Sequence, residues 1–587
     1  MPAAQALAHG RDEVVQARAL LTADLAHINR ATIDQAAALL ADAADDFGPR
    51  SQALQDGFLG SVAAHLPLFG PQLHAARLLR NAGERGAAVG LDVLGLVKQL
   101  LADQPGEQES LLQRLVAVAG HDQAQLNKLS ADLASLHEGV NALPAGPLLG
   151  PLDSARNTLR SEGTHLFSAA TPAIAILQAL PAAVGSGDHT YLLLLENPGE
   201  ERPGGGYIGA VGQVTFSNGA ITSEIFRDAS FSDASVRDIP APRPLNAYLF
   251  HNQPWEMADA GWSPDFPTDV SDITRFYTRA TGVHPEGVIA VDPIALSGVL
   301  SITGPLTVPP YPQTITSSNA LTELNYITNK ARPGDPGKVF LPPFGQAMVN
   351  RLVRAGLGQA PALAASLAQS ARQKHVLLFF EDPHLQQLAG NAGFGGVVAS
   401  PLFDSLQVVD GNLSGTKGDL FVKRRFTLRA TVRTDGQVQD TLTMVYRNSA
   451  PTTTADAALD IGSGGDYRDY LQVLVPETAQ FGSLRVSIND QPAIPVSPEA
   501  ITYVYQRTDI AYWLIVPRGA SAIVTLTYTG PFADITRSPE LYQLSWEKQN
   551  GALTWPIDVA ISMPGRAMQH VSAALDQDRS WSATAAG

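Results

Sequence analysis

The chain contains no cysteine, which excludes thiol catalysis, cysteine-based zinc sites and disulfides and leaves carboxylates as the means of holding a metal. Lysine is scarce, with 8 of the 40 basic residues against 32 arginines. That bias reflects either genome composition or the use of arginine as a bidentate phosphate ligand. Positive charge is in deficit overall, 40 Lys plus Arg against 56 Asp plus Glu for a net charge of -16, so nothing draws the chain globally to nucleic acid or anionic lipid. No run reaches the roughly 18 to 20 apolar residues of a membrane span. The nearest, from Ala169 to Val184, is broken by Gln178 and two prolines. Met1 is not followed by a basic stretch and an apolar core, so the expectation is either no signal or an upstream segment that has been removed. The serine-hydrolase elbow G-x-S-x-G, the zincin H-E-x-x-H, the P-loop and the EF-hand loop are all missing. The thirteen histidines are scattered without ligand spacing, which makes surface or satisfied roles the expectation.

What is present is ample core material. At 587 residues, with 45% hydrophobic and 16% charged, the chain is folded and too long for a single core, since cores stop growing near about 250 to 300 residues. From about Arg11 to Gly185 the pattern is helical. Val14, Leu21, Leu25 and Ile28 share one face, and Leu126, Leu129, Leu133 and Leu136 recur at spacings of three and four, as in bundle cores or a membrane-proximal stalk. Breaks fall at Phe47-Gly48-Pro49, between Leu66 and Pro71, from Asp103 to Gly106 and from Leu143 to Pro151.

At Tyr191 the period changes. Tyr191 to Leu195 is a short apolar run suited to a strand buried on both faces, and Tyr207 to Phe216 and Ala220 to Phe226 flank Asn218-Gly219, a dipeptide that turns a two-residue hairpin. Thr268 or Asp269 can cap a helix to about Thr281, Gly287 to Val291 is a buried strand, and Pro293 opens a helix through Leu300. Further helices are expected at Pro343 to Ala355 and Ala360 to Gln373, and a strand at His375 to Phe380. From Leu402 the period is two: Phe426, Leu428, Ala430 and Val432 alternate with Thr427, Arg429, Thr431 and Arg433. The expected architecture is multidomain α+β, with a helical bundle or stalk over residues 1–188, an α/β mixed-sheet domain over 189–400, an antiparallel β-sandwich over 401–570 and a flexible tail over 571–587.

Chemistry concentrates in one loop. Glu196-Asn197-Pro198-Gly199-Glu200-Glu201-Arg202-Pro203-Gly204-Gly205-Gly206-Tyr207-Ile208-Gly209 follows a buried strand and its tail formally contains G-x-G-x-x-G, but a strand follows where a dinucleotide fold needs a helix. Two readings remain. Backbone amides at Gly205 and Gly206 with Arg202 cradle a phosphate, or the glycines make a tight turn and Arg202 pairs with Glu200 or Glu201. Arg227-Asp228 ends the hairpin, either as a second phosphate ligand beside Arg202 or as a strand-end ion pair. Asp259, Asp265 and Asp269 surround two aromatics ahead of a helix; as loop carboxylates they could hold Mg²⁺, or they serve as helix cap and turn bonds.

Taken together, Tyr191 to Asn197, Glu201-Arg202-Pro203, Gly205 to Gly209, Trp262-Ser263-Pro264-Asp265-Phe266-Pro267, Gly287 to Pro293 and Thr303-Gly304-Pro305-Leu306 resemble the bacterial family known as domain of unknown function 4012. Leu66-Pro67-Leu68-Phe69-Gly70 and Glu547-Lys548-Gln549 extend the likeness over most of the chain. The resemblance implies an extracytoplasmic cell-surface protein anchored by a transmembrane helix upstream of this chain. The central domain is also similar to the LytR–CpsA–Psr phosphotransferases, which move glycopolymers from polyprenyl-pyrophosphate carriers to the cell wall. That similarity implies a glycopolymer phosphotransferase in which Arg202, Arg227 and Asp228 are catalytic and Arg202, Gly205, Gly206 and Arg227 bind phosphate. Asp228 with Asp265 would hold Mg²⁺, and polyprenyl-phosphate lipid or cell-wall glycopolymer would be the partner. The chain departs from that family where a metal-binding aspartate is replaced by Gly206-Tyr207-Ile208-Gly209, a change that would leave lipid-phosphate binding without turnover. The second expectation is a non-catalytic envelope scaffold acting by self-association.

Overall fold

A computed structural model describes residues 2–23, 30–51, 70–102, 110–144, 148, 150–400, 403–451, 455–459, 465–534 and 541–584. The chain divides into two compact units. The first comprises Met1–His189, Phe216–Thr222 and Arg351–Ala368 and is dominated by helices α1 (Pro2–Ala23), α2 (Arg30–Phe47), α3 (Gly70–Ala102), α4 (Leu111–His121), α5 (Gln123–Asn141) and α6 (Gly150–Val184). Their apolar stripes build the core. Leu126, Leu129 and Leu133 of α5 pack with Val89 and Leu96 of α3, Ala119 of α4 and Ile174 of α6, while Ala17, Ile33, Ala36 and Leu40 join α1 to α2 against Leu94. Ser110 and Gln113 form a reciprocal capping box that starts α4. The expected positions Leu25 and Ile28, and the segments 66–69 and 103–106, lie outside the described residues. Among the described residues, no helix is long and apolar enough to cross a membrane.

The second unit comprises Thr190–Thr215, Ser223–Asn350 and Gln369–Gly587. Its first sheet uses β1 (Asp188–Asn197), β2 (Tyr207–Ser217), β3 (Ala220–Asp228), β4 (Gly287–Val291) and β7 (Val376–Phe380) in the order β3-β2-β1-β4-β7. A small hairpin of β5 (Leu306–Thr307) and β6 (Thr314–Ile315) stands apart from it. β1 and β4 run parallel with Leu195 opposite Val291, and β7 lies antiparallel to β4, so the sheet is mixed as expected. Asn218 and Gly219 both adopt positive φ, 51° and 74°, the geometry a two-residue hairpin turn requires.

Helices α7 (Phe266–Thr281), α8 (Pro293–Thr303), α9 (Ala320–Thr328), α10 (Leu341–Val353), α11 (Ala360–Arg372) and α12 (Pro383–Asn391) accompany this stretch of chain. The cap of α7 differs from the expectation: Asp265, not Thr268 or Asp269, accepts the Thr268 amide at 3.3 Å. Pro267, whose missing N–H costs nothing in a first turn, then lies inside the helix.

Beyond residue 400 two sheets share one core. One has the order β13-β12-β16-β10-β9-β19-β20 and the other β14-β15-β11-β8-β18-β17, with β21 paired to β18. The strands are β8 (Asp404–Val409), β9 (Val422–Val432), β10 (Val438–Asn448), β11 (Tyr467–Pro476), β12 (Gln480–Ile488), β13 (Ile494–Val496), β14 (Ala500–Val504), β15 (Arg507–Val516), β16 (Ser521–Gly530), β17 (Ala533–Asp534), β18 (Leu541–Glu547), β19 (Trp555–Ser562), β20 (Gln569–Leu575) and β21 (Arg579–Thr584). Phe426, Leu428 and Ala430 of β9 pack with Leu471 and Val473 of β11 and Trp546 of β18, which is the sandwich that the period-two segments specify.

Two expectations are corrected. The sheets are not purely antiparallel, because the late strands β18 and β19 return beside the earliest ones and pair in parallel with β8 and β9. Nor are residues 571–587 a loose tail as far as they are described: β20 pairs with β19, β21 pairs with β18, and Leu575 and Ala583 are buried in the core. Truncation after residue 568 should therefore lower the melting temperature by more than about 5 °C, since each kcal/mol of lost burial shifts it by roughly 2–4 °C in a domain of this size. Calorimetry of the truncated and full chains would check this, and equal melting temperatures would return the segment to the status of a tail.

Candidate functional site

β1 and β4 end together, which brings Glu196 and Asn197 to the same sheet edge as Asp292. The carboxyl edge of parallel strands is where open α/β sheets bind ligands. The loop leaving β1 folds back over this edge: the Gly199 amide bonds to Asn197 Oδ1 at 2.9 Å, the Gly205 amide to Arg202 O at 3.1 Å, and the Tyr207 amide to Glu200 O at 3.0 Å. The glycines are there because carboxylates crowd them. A Cβ on Gly205 would come within 2.1 Å of Glu196 Oε2, and one on Gly204 within 1.6 Å of Asp269 Oδ2. Both carboxyls are buried, and burial raises each well above the usual range, with Asp292 adding to the effect at Glu196. The amides of Gly204 and Gly205 are spent on the Gly261 and Arg202 carbonyls, each at 3.1 Å, where a cradle for phosphate needs free donors.

Arg202 is 1% exposed and all five of its N–H donors are engaged. Nε donates to Asp259 Oδ1 at 2.8 Å; Nη1 donates to the carbonyls of Glu201 and Asn412 at 3.1 and 2.8 Å; Nη2 donates to Glu200 Oε1 at 2.8 Å and Asp259 Oδ1 at 2.5 Å. The pairing with Glu200 is one of the two readings the sequence left open, and Asp259 completes it. Burial by itself would raise the Glu200 carboxyl, but Lys417 at 3.0 Å and Arg202 bring it down to about 2.

A second buried arginine lies beside the first. Arg424 is 2% exposed. It meets Glu201 at 3.2 Å, Asp410 at 2.9 Å and Asp419 at 2.6 Å, and donates to the Tyr467 hydroxyl at 2.6 Å. Asp419 also accepts from the Glu201 amide at 2.8 Å, and Gln549 Nε2 donates to Arg202 O at 3.1 Å. The loop is in this way bonded into the strands beyond residue 400.

Arg227 and Asp228 have other partners than Arg202. Arg227 is half-buried with its guanidinium 5.2 Å from the Phe231 ring centre, and Asp228 Oδ1 caps the following turn through the Ser230 amide and hydroxyl at 2.9 and 2.6 Å. Asp265 is committed to Thr268 on one oxygen and to the Val398 amide at 3.2 Å on the other. Among the described residues no trio of His, Asp and Glu donors assembles around Asp228 or Asp265.

The cleft at this edge is lined by Leu195, Leu296, Leu324, Leu341 and Phe344, with Glu196, Tyr207, Lys338 and Lys417 among its polar members, and its volume is about 40 Å³. Lys338 is exposed and donates to the Tyr207 hydroxyl at 2.6 Å, its ammonium 4.5 Å from that ring's centre. On the other side of Asp292, His375 Nδ1 meets Asp292 Oδ2 at 2.5 Å in full burial. Lys548, 1% exposed, donates to Gln373 O at 2.8 Å, and burial lowers its pKa to about 7. Sequence reasoning gave no site role to Glu196, which opens the loop, to His375, which opens a strand, or to Lys338 and Arg424. Lys548 and Asp292 were visible only as members of Glu547-Lys548-Gln549 and Val291-Asp292.

Two outcomes follow from the buried charges. Arg202→Ala leaves Asp259 without its cation in the interior and Glu200 with Lys417 alone, which should cost about 3–5 kcal/mol in urea denaturation; a change below about 1 kcal/mol would mean the arginine acts as if at the surface. Lys548 binds its proton less tightly folded, at about 7, than its ordinary 10.5. Below pH 7 both states are protonated and the penalty on the fold is complete. Between pH 7 and 10.5 the unfolded chain holds the extra proton, so this group's contribution to stability rises with pH. Denaturation midpoints of the wild type and Lys548→Met should therefore differ in slope across that window, and parallel profiles would assign Lys548 an ordinary pKa.

No curated protein matches the chain. Among solved structures, one from Legionella pneumophila described as a "putative nutrient binding protein" is similar at 10% identity over 27% of this chain and 54% of its own, with a TM-score of 0.18. The chain thus spans about half the length of that protein, and a likeness at this level carries no argument. It is over residues 186–327, the segment that holds β1, its loop, Asp259, Asp269 and Asp292, that the chain matches the family described as Protein of unknown function (DUF4012).

Proposed function

We propose that the chain is an extracytoplasmic cell-envelope protein that binds a polyprenyl-phosphate-linked glycopolymer at the carboxyl edge of β1 and β4, without transferring it. The observation that carries this reading is an apolar cleft with an exposed ammonium at its rim: Leu296, Leu324 and Phe344 line it and Lys338 stands at its mouth over Tyr207. An isoprenoid chain with a phosphate head has the matching polarity. Burial pushes the Glu196 carboxyl well above the usual range, which favours its neutral form beside an anion in the cleft. The narrow volume admits the carbons next to the phosphate, and the rest of the lipid stays outside.

Arg202 takes the structural part in this reading because its donors are consumed, and Asp228 and Asp265 are spent on caps. Transfer would require a group that neutralises charge on the phosphoryl oxygens, and the cleft offers none beyond the lysines. The likeness to the LytR–CpsA–Psr enzymes, in the order of β1, loop, hairpin, β4 and α8, and an anchor upstream of this chain belong to the same proposal. A surface scaffold is the other reading. It draws on Ile501 and Tyr503, 43% and 71% exposed on the edge strand β14.

Native mass spectrometry of the chain incubated with vesicles carrying polyprenyl phosphate should show one lipid bound. Lys338→Ala should weaken binding by roughly tenfold or more, since a charged hydrogen bond contributes about 1.5–3 kcal/mol. Leu296→Trp should abolish binding by filling the cleft, and Arg227→Ala should leave it unaltered. Absence of bound lipid, with concentration-dependent self-association lost in Tyr503→Ser, would replace the lipid reading with the scaffold.

A further inference from the structure

In the first unit, α1 and α2 cross closely because Gly10 offers no side chain: a Cβ there would meet Asp46 Cβ at 3.1 Å and Phe47 at 3.2 Å. The crossing brings three donors together. His9 and Glu13, one helical turn apart on α1, face Asp46 on α2, and their ligand atoms all lie within 4.8 Å of one another. His9 Nδ1 is 2.6 Å from Asp46 Oδ2 and 3.3 Å from Glu13 Oε1.

One buried oxygen of the cluster is left without a partner. Glu13 and Asp46 are 6% and 3% exposed, which is costly for carboxylates unless each is paired. Arg50 takes one oxygen of Asp46 at 2.8 Å from a position that is itself half-exposed. Glu13 Oε2 is buried with no hydrogen-bond partner, and Asp42 adds negative charge nearby. His9, its side chain 65% exposed, meets the other oxygen of Glu13 at 3.3 Å.

We infer that His9, Glu13 and Asp46 form a binding site for a divalent transition metal of the zinc class, a site independent of the cleft in the second unit. One imidazole nitrogen and two carboxylate oxygens are a donor set that zinc accepts, with solvent as fourth ligand. Bond lengths of about 2.0–2.2 Å in tetrahedral geometry place neighbouring ligand atoms roughly 3.3–3.5 Å apart. The His9 to Glu13 distance already has that value, and the His9 to Asp46 contact needs only to open. Arg50, bonded to the other oxygen of Asp46, orients the ligand as outer-shell partners do. A metal here would tie α1 to α2 and deplete the buried negative charge.

The test is titration of the metal-free chain with Zn²⁺, read by competition with a chromophoric chelator, and with Co²⁺, whose visible absorption reports low coordination number. One ion per chain and a higher melting temperature with Zn²⁺ are expected. His9→Gln, Glu13→Gln and Asp46→Asn should each weaken uptake at least tenfold. His9 is exposed, so its variant keeps the fold whatever the metal does. No uptake of Zn²⁺, or uptake that all three variants leave unaltered, would reduce the cluster to an ion pair between helices and overturn the assignment.

Discussion

Two arginines without access to water, Arg202 and Arg424, hold the loop after β1 against the strands that begin at residue 404. Between them they engage Glu200, Glu201, Asp259, Asp410 and Asp419; at Arg202 carbonyls fill the donors that carboxylates leave, whereas Arg424 Nη1 has no hydrogen-bond partner. Such a network is expensive to desolvate, and removing one member leaves a buried charge uncompensated. Its consequence is positional. Asn197, Tyr207 and the three glycines have one place to be, and the sheet edge that carries Glu196 is built on that constraint.

The same constraint decides what the edge can do. Once the most conspicuous cation of the loop has been spent on holding the fold, the anion binding we propose rests on Lys338, which the network leaves in solvent at the cleft's rim. The remaining acids of the edge are divided by environment. Lys417 and Arg202 hold the Glu200 carboxyl down to about 2, while burial without a cation pushes Glu196 and Asp269 well above the usual carboxylate range. That division is what the proposed amphiphile with an anionic head draws on. Catalysis of phosphoryl transfer would ask for more positive charge at the same place.

The architecture was legible in the sequence wherever one face of a regular element is buried. Leu126, Leu129 and Leu133 repeat with the helix and form the bundle core; Phe426, Leu428 and Ala430 repeat with the strand and form the sandwich core; Tyr191 to Leu195 is apolar throughout and is an interior strand. The local signals also held at Asn218-Gly219, where the turn needs two residues at positive φ, and at Pro293, which opens α8. Period two runs through β20 and β21 as well, with Val571, Ala573 and Leu575 on one face and then Trp581 and Ala583, but their Ala- and Ser-rich, largely exposed stretch passed for a tail although these strands pair with β19 and β18.

The site was legible only in part, because charge carries no period. That Arg202 would pair with Glu200 or Glu201 was one of two open readings, and the local one; its other partners, Asp259 and Asn412, lie 57 and 210 residues away and left no local signal. The ligand chemistry of His9 and Glu13 stayed hidden for the same reason: a turn of α1 supplies two donors, and the third comes from α2. By itself the sequence determined the kinds of elements, their order and the loop that would matter, since these follow from neighbours along the chain. Which arginine is buried, which lysine is free and which carboxyls keep their protons were decided by the tertiary structure, because desolvation and the distance to a counter-charge exist only after residues far apart in the chain have been packed together.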